Sequence, residues 1–157
     1  MTIQLAGPLA DRGDRPLGDR CPIDRAMQVV GHRTAVLLLR EVLYGAGRFD
    51  ALVARTGISE AVAAQRLRSL VEAGVLAKEP YREAGQRTRQ AYVLTASGHA
   101  LVPAVLALAA WGDEHLPAEG HLGLSHAGCG EPVAVVPRCA AGHDVPEDEV
   151  LVTGSPR

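Results

Sequence analysis

The chain of 157 residues carries a formal net charge of −2 and is 47% hydrophobic but only 3% aromatic, with one Phe and one Trp. That length suits one ordinary domain with extensions, and a core of Leu, Val and Ala favours packed helices over an aromatic-rich sandwich or barrel. No segment approaches the roughly 18 consecutive apolar residues of a membrane span, and the first twenty residues lack the apolar stretch of a signal peptide, so the expectation is a cytoplasmic protein without membrane contact. Three cysteines in an unsecreted chain argue against a disulfide scaffold and for thiols that are inert, reactive or metal-bound.

The small net charge hides an uneven distribution. Residues 31–92 hold ten Lys or Arg against six acids, and residues from 116 onward hold two basic residues against six acids, so a segment of +4 precedes one of −4. A basic middle with an acidic tail is compatible with a module that faces phosphate.

In chain order, residues 1–20 mix six charges of alternating sign with Gly and Pro and read as a flexible arm. Pro22 suits a helix start, and Ile23, Ala26, Met27 and Val30 follow at helical spacing until Gly31. The segment from Thr34 is apolar nearly all round and ends at Gly45, which predicts the central buried helix. Phe49, Leu52 and Val53 predict a short third helix stopping at Thr56-Gly57. Ser59 caps a fourth running to about Ala73, with Ala63, Leu67, Leu70 and Val71 on its buried face. VLAKEPYR and RTRQAYVL, separated by EAGQ, read as a β-hairpin. Thr95 caps a long final helix through Leu116, whose stripe of Leu101, Val105, Leu108 and Trp111 is wide enough to pack on a partner subunit as well as its own core. Beyond Pro117 the chain is rich in Gly, Pro and His, with two β-like runs, VAVVP and EVLVT.

The expected fold class is therefore mainly α with a small β-hairpin (α+β), and helix, tight Gly turn, helix, hairpin is the plan of a winged helix-turn-helix. Burying Ala63, Leu67 and Leu70 turns Ala61, Ala64, Gln65 and Arg68 toward a major groove. Gln65 suits adenine, Arg68 guanine or phosphate, the alanines thymine methyls, and Ser59 with the free N–H groups of the helix start a phosphate. Arg82, Arg87 and Arg89 flank the hairpin tip, where a wing crosses the DNA backbone. A winged helix that binds protein rather than DNA is the alternative. Neither a Ser-His-Asp arrangement nor a Gly-rich phosphate loop asks for catalysis.

These residues resemble the HxlR-type winged-helix transcriptional regulators and, more distantly, the MarR regulators. The resemblance runs from Cys21-Pro22 through Gly31-His32-Arg33, Leu37-Leu38-Leu39-Arg40, Arg48-Phe49, Gly57-Ile58-Ser59, Arg66-Leu67, Leu70, Glu72-Ala73-Gly74, Arg89 to Thr95, Gly98 and Trp111. It implies a domain over 21–116 and a homodimer formed through the first helix and the long terminal helix. It also implies double-stranded DNA with a near-palindromic operator as partner, and repression as the usual outcome. A small-molecule or oxidant effector belongs to the same expectation. Where the family has Gly-Gly-Arg-Trp-Thr this chain has Gly31, His32, Arg33, Thr34 and Ala35, so the family's Trp at the start of the second helix is Thr34 here, and Ala63 and Ala64 replace Leu and Ser.

Two sites remain. Cys21 sits at the cap of the first helix, where free N–H groups and the helix dipole favour a thiolate and Arg20 and Arg25 add positive charge; family members use a cysteine here to sense oxidants. In the tail, 117–157, His126-x2-Cys129 and Cys139-x3-His143 bracket a possible small hairpin at a spacing that suits four zinc ligands.

Overall fold

The computed structural model describes residues 2–18, 21–82 and 87–154. Its chain divides into two compact units, Asp19–Glu119 and Met1–Gly18 together with Gly120–Arg157.

The first unit holds β2, β3 and the six α-helices of the described residues: α1 (Pro22–Val30), α2 (Arg33–Leu43), α3 (Phe49–Thr56), α4 (Glu60–Glu72), β2 (Leu76–Tyr81), β3 (Arg89–Leu94), α5 (Ala96–Ala100) and α6 (Val102–His115). Helix α2 is the central element, as its apolar sequence predicts. Ala35, Leu38, Leu39 and Val42 from it join Leu52 of α3, Ala63, Leu67 and Leu70 of α4, and Val75 and Leu76 in one buried core. Leu38, Leu52, Leu67, Leu70 and Leu76 are fully enclosed, so leucine supplies most of the volume that aromatics supply elsewhere.

Strands β2 and β3 pair antiparallel from Leu76 opposite Leu94 to Tyr81 opposite Arg89. The connection between them, with the predicted turn glycine Gly85, lies outside the described residues. A bridge from Arg48 to Ala91 and a 2.8 Å bond from the Tyr92 N–H to the Gly47 carbonyl tie β3 to the start of α3. The approach is close enough that a Cβ on Gly47 would meet the Tyr92 carbonyl at 3.0 Å.

The predicted long final helix is two helices. Its chain breaks at Leu101 between α5 and α6, because Pro103 lacks an N–H and its ring crowds the carbonyl four residues back. The predicted cap is present: the Thr95 Oγ1 accepts the Gly98 N–H at 3.1 Å and donates to the Gly74 carbonyl at 2.6 Å, fastening α5 to the α4–β2 turn. Helix α6 buries no residue, and Leu108 and Trp111 are more than half exposed.

The second unit corrects the expectation for both termini. Residues Gln4–Ala6 form β1, followed by a 3-10 helix over Gly7–Arg12, so this segment is not a flexible arm. Strand β1 pairs in parallel with β4 (Leu151–Thr153), and the Gln4 side chain donates to the Asp148 carbonyl at 2.7 Å. The run EVLVT thus supplies a strand, whereas VAVVP supplies none. Two short turns lie between, each closed by one antiparallel bridge, Ser125 with Pro132 and Arg138 with Asp144. Among the described residues, no helix is long and apolar enough to cross a membrane.

Candidate nucleic-acid interface

The turn between α3 and α4 is three residues long. Gly57 takes it in the left-handed conformation at φ 64°, which glycine adopts without a Cβ penalty. Ile58 is buried beneath it, and Ser59 begins α4. Inside α3, the Thr56 hydroxyl donates to the Leu52 carbonyl at 2.6 Å. With Ala63, Leu67 and Leu70 fully buried, helical periodicity leaves Ala61, Gln65 and Arg68 exposed, and Ala64 half-buried on the flank. The predicted face is therefore assembled, with Ala64 recessed relative to the other three. Ser59 occupies the N-cap position, but its side chain makes no capping bond; Glu60 stands in the first turn instead, an acidic group that complements the helix dipole and opposes phosphate there.

Arg82, Arg87 and Arg89 of the wing are all exposed, and Arg89, at the end of the ladder nearest the connecting turn, lies 3.7 Å from Asp50 of α3. Its pairing follows from the register that sets Arg89 opposite Tyr81 and brings Ala91 to Arg48. Recognition helix and wing also meet at Tyr92. Burial pushes the Tyr92 phenol up, and the positive charge of Arg68 partly offsets this; the Lys78 ammonium sits 5.6 Å from the ring centroid, within cation–π range.

Sequence reading missed the carboxylate behind this face. Glu41 of α2 is buried at 6% exposure. Its Oε1 accepts from Arg40 Nη2 at 2.7 Å and Nε at 3.0 Å, and Oε2 lies 3.8 Å from Arg55 of α3. A single acid beside Arg40 in a mostly apolar helix was the available signal, since a buried charge requires a partner.

Cys21 is half-buried and does cap α1: its sulfur accepts the Asp24 N–H at 3.4 Å. Arg20 lies outside the described residues, and Arg25 is exposed on the first turn. In the second unit, His126 Nδ1 lies 3.0 Å from Cys129 Sγ. The Cys139 sulfur faces the backbone N–H groups of Ala141, Gly142 and His143, which hold its thiol below the ordinary range. The expected four-ligand zinc set, His126, Cys129, Cys139 and His143, is not assembled: among the described residues no three His, Cys, Asp or Glu side chains converge as metal ligands. Each cysteine is engaged within its own turn, Cys129 by the imidazole and Cys139 by backbone amides.

Known proteins share this architecture. An uncharacterized HTH-type transcriptional regulator of Mycobacterium tuberculosis is 40% identical over 111 residues, 69% of this chain and 69% of the relative. The crystal structure of PA1607, a proposed transcription factor, superposes with a TM-score of 0.75 at 30% identity, covering 87% of this chain and 96% of that one. The redox regulator HypR in its reduced form superposes at 0.53 with 25% identity, covering 60% of this chain and 92% of its own. The model of the HxlR-like helix-turn-helix family matches residues 29–120, the stretch that carries α2 to α6 and the wing, and the chain belongs to that family of DNA-binding transcriptional regulators.

Proposed function

We propose that the chain acts as a homodimeric repressor on a near-palindromic operator, with α4 of each copy in a major groove and the wing along the adjacent backbone. The observation that carries this reading is the exposed trio Ala61, Gln65 and Arg68 on a helix whose opposite face is locked into the core. Gln65 reads a base edge, Arg68 a guanine or a phosphate, and Arg82, Arg87 and Arg89 supply sequence-independent affinity. Ser59, with the N–H groups of the first turn, faces a phosphate. The two copies meet through α1 and α6, whose Ile23, Met27, Leu108 and Trp111 are each at least half exposed; apolar side chains of this size gain most by covering one another. Cys21 is the sensing residue: it caps α1, so oxidation of its sulfur alters the end of a dimer helix, and HypR, which shares this fold, is a redox regulator.

The test is fluorescence anisotropy on DNA from upstream of the gene and its neighbours. Gln65→Ala costs about 1–3 kcal/mol and relaxes preference at one base pair, whereas Arg87→Ala weakens all sequences alike and lowers the salt slope by roughly 0.9. Diamide changes the affinity of the parent chain and leaves Cys21→Ser unaffected. Salt-independent association, or both arginine and glutamine variants binding like the parent, rejects the assignment.

A further inference from the structure

The register of the wing sorts its side chains by face. Leu76 stands opposite Leu94, Lys78 opposite Tyr92 and Pro80 opposite Gln90, so the alternation of strands puts these six on one face of the ladder. Leu76 is buried in the core and Leu94 packs against it, which makes this the face turned inward, and β2 packs on α4 there. Lys78 and Tyr92 therefore stand one step beyond the core, at the mouth of the cleft between recognition helix and wing. The Lys78 Nζ sits 5.6 Å from the Tyr92 ring centroid, and Arg68 of α4 comes close enough for its charge to act on the phenol.

These three groups are donors without acceptors. Among the described residues, Arg68 and Lys78 form no ion pair and the half-buried Tyr92 hydroxyl makes no hydrogen bond. The nearest acids along the chain, Glu72 one turn on from Arg68 and Glu79 beside Lys78, pair with neither, and Glu79 alternates to the outer face of the ladder. Two cations gathered about one phenol repel each other, and a partly desolvated hydroxyl without a partner is costly. One anion with several free oxygens relieves both. With α4 in a major groove and the wing along the adjacent backbone, the sugar-phosphate strand between those two positions runs over this cleft.

We infer that the cleft clamps a single phosphodiester of the bound DNA, with Lys78 and Arg68 on the same phosphate and the Tyr92 hydroxyl donating to one of its oxygens. Arg68 then fixes register, and Gln65 and Ala61 are left to read base edges. The inference rests on the proposed docking of α4 and the wing, and its test tells the two apart. Full-length Lys78→Gln, Arg68→Gln, the double variant, Lys78→Arg, Arg68→Lys and Tyr92→Phe are titrated onto the upstream duplex by anisotropy over a range of salt concentrations. Both cations are exposed, so replacing them leaves the core intact. The parent and Lys78→Gln are also titrated onto duplexes in which one phosphate at a time is a neutral methylphosphonate.

Because both cations serve one phosphate, the double variant should lower the salt slope by roughly 0.9, the loss of one contact. Lys78→Gln should weaken every sequence alike, and Lys78→Arg should bind like the parent. Tyr92→Phe, which keeps the ring and loses one donor to a charged acceptor, should bind about tenfold more weakly with the slope unchanged. One methylphosphonate position should weaken the parent and cost Lys78→Gln nothing further. A slope change of about twice 0.9 in the double variant means two separate phosphates and overturns the clamp. So do Lys78→Arg binding as weakly as Lys78→Gln, parent-like binding by Lys78→Gln or Tyr92→Phe, and a changed preference at one base pair in Arg68→Lys. In each of those cases Gln65→Ala and Arg87→Ala still weaken binding if the docking itself is right. A parent chain that binds no duplex even at low salt overturns the docking and the clamp together.

Discussion

Glu41 and Cys139 show how differently two reactive side chains are held. Glu41 is enclosed and satisfied by guanidinium groups from Arg40 and Arg55, which makes it a tie between α2 and α3 rather than a group for chemistry. Cys139 is fully exposed, and the N–H groups of residues 141–143 converge on its sulfur and stabilise the thiolate. A lowered folded-state pKa means that the thiolate appears at lower pH than in the unfolded chain. Iodoacetamide should therefore alkylate Cys139 with a half-maximal pH below the ordinary thiol value of about 8.5. In concentrated urea, where the turn is lost, the midpoint should return to that value. Site-resolved mass spectrometry over pH 5–10 checks this; an identical profile in urea and in buffer rejects the amide nest. Such a nest is invisible in Cys-Ala-Ala-Gly-His as a sequence, because it depends on the turn's dihedral angles rather than on side-chain types.

Element by element, the winged unit was legible because its punctuation is local. Gly31, Gly45, Gly57 and Gly74 end segments whose apolar residues already keep helical spacing, and the structure stops each helix within two residues of them. The exposure of Gln65 and Arg68 was legible for the same reason, since burying Ala63, Leu67 and Leu70 leaves one arrangement for them. Pro103 was readable as a breaker too, but the continuous apolar stripe from Leu101 to Trp111 masked it. The pairing of Arg89 with Asp50 was out of reach, because only the register of β3 against the loop at Arg48 brings these residues together. The tightest seat in the unit belongs to α5, where a Cβ on Gly98 would collide with the Val75 carbonyl and press on the Leu94 side chain. Backbone on that side cannot yield as a flexible side chain would. Gly98→Ala should destabilise the unit by about 1–3 kcal/mol or more despite the better helix propensity of alanine, measured by urea denaturation; an unchanged midpoint would show that α5 is free to lift off Val75 and β3.

On the scale of the whole molecule, what sequence reading could not supply was the partner of each terminus. Gln4–Ala6 is too short to announce itself as a strand, and its mate at Leu151–Thr153 lies at the far end of the chain; no local pattern encodes a parallel pairing of that separation. The wider coverage of PA1607, 87% against 60% for HypR, fits a winged unit common to the fold and a second unit that only some relatives share. The second unit has little apolar area of its own, with Val135, Val136, Leu151 and Val152 all exposed, so the β1–β4 ladder and the Gln4 bond to Asp148 carry much of its order. Deleting residues 1–18 removes β1, the 3-10 helix and that bond together. Hydrogen exchange should then show the amides of Leu151, Val152 and Thr153 losing protection, while those of α2 and α4, whose core draws on no residue of the second unit, exchange as slowly as in the full chain. If protection fell equally in both units, the two would be one cooperative body and the winged unit would depend on the termini for its stability.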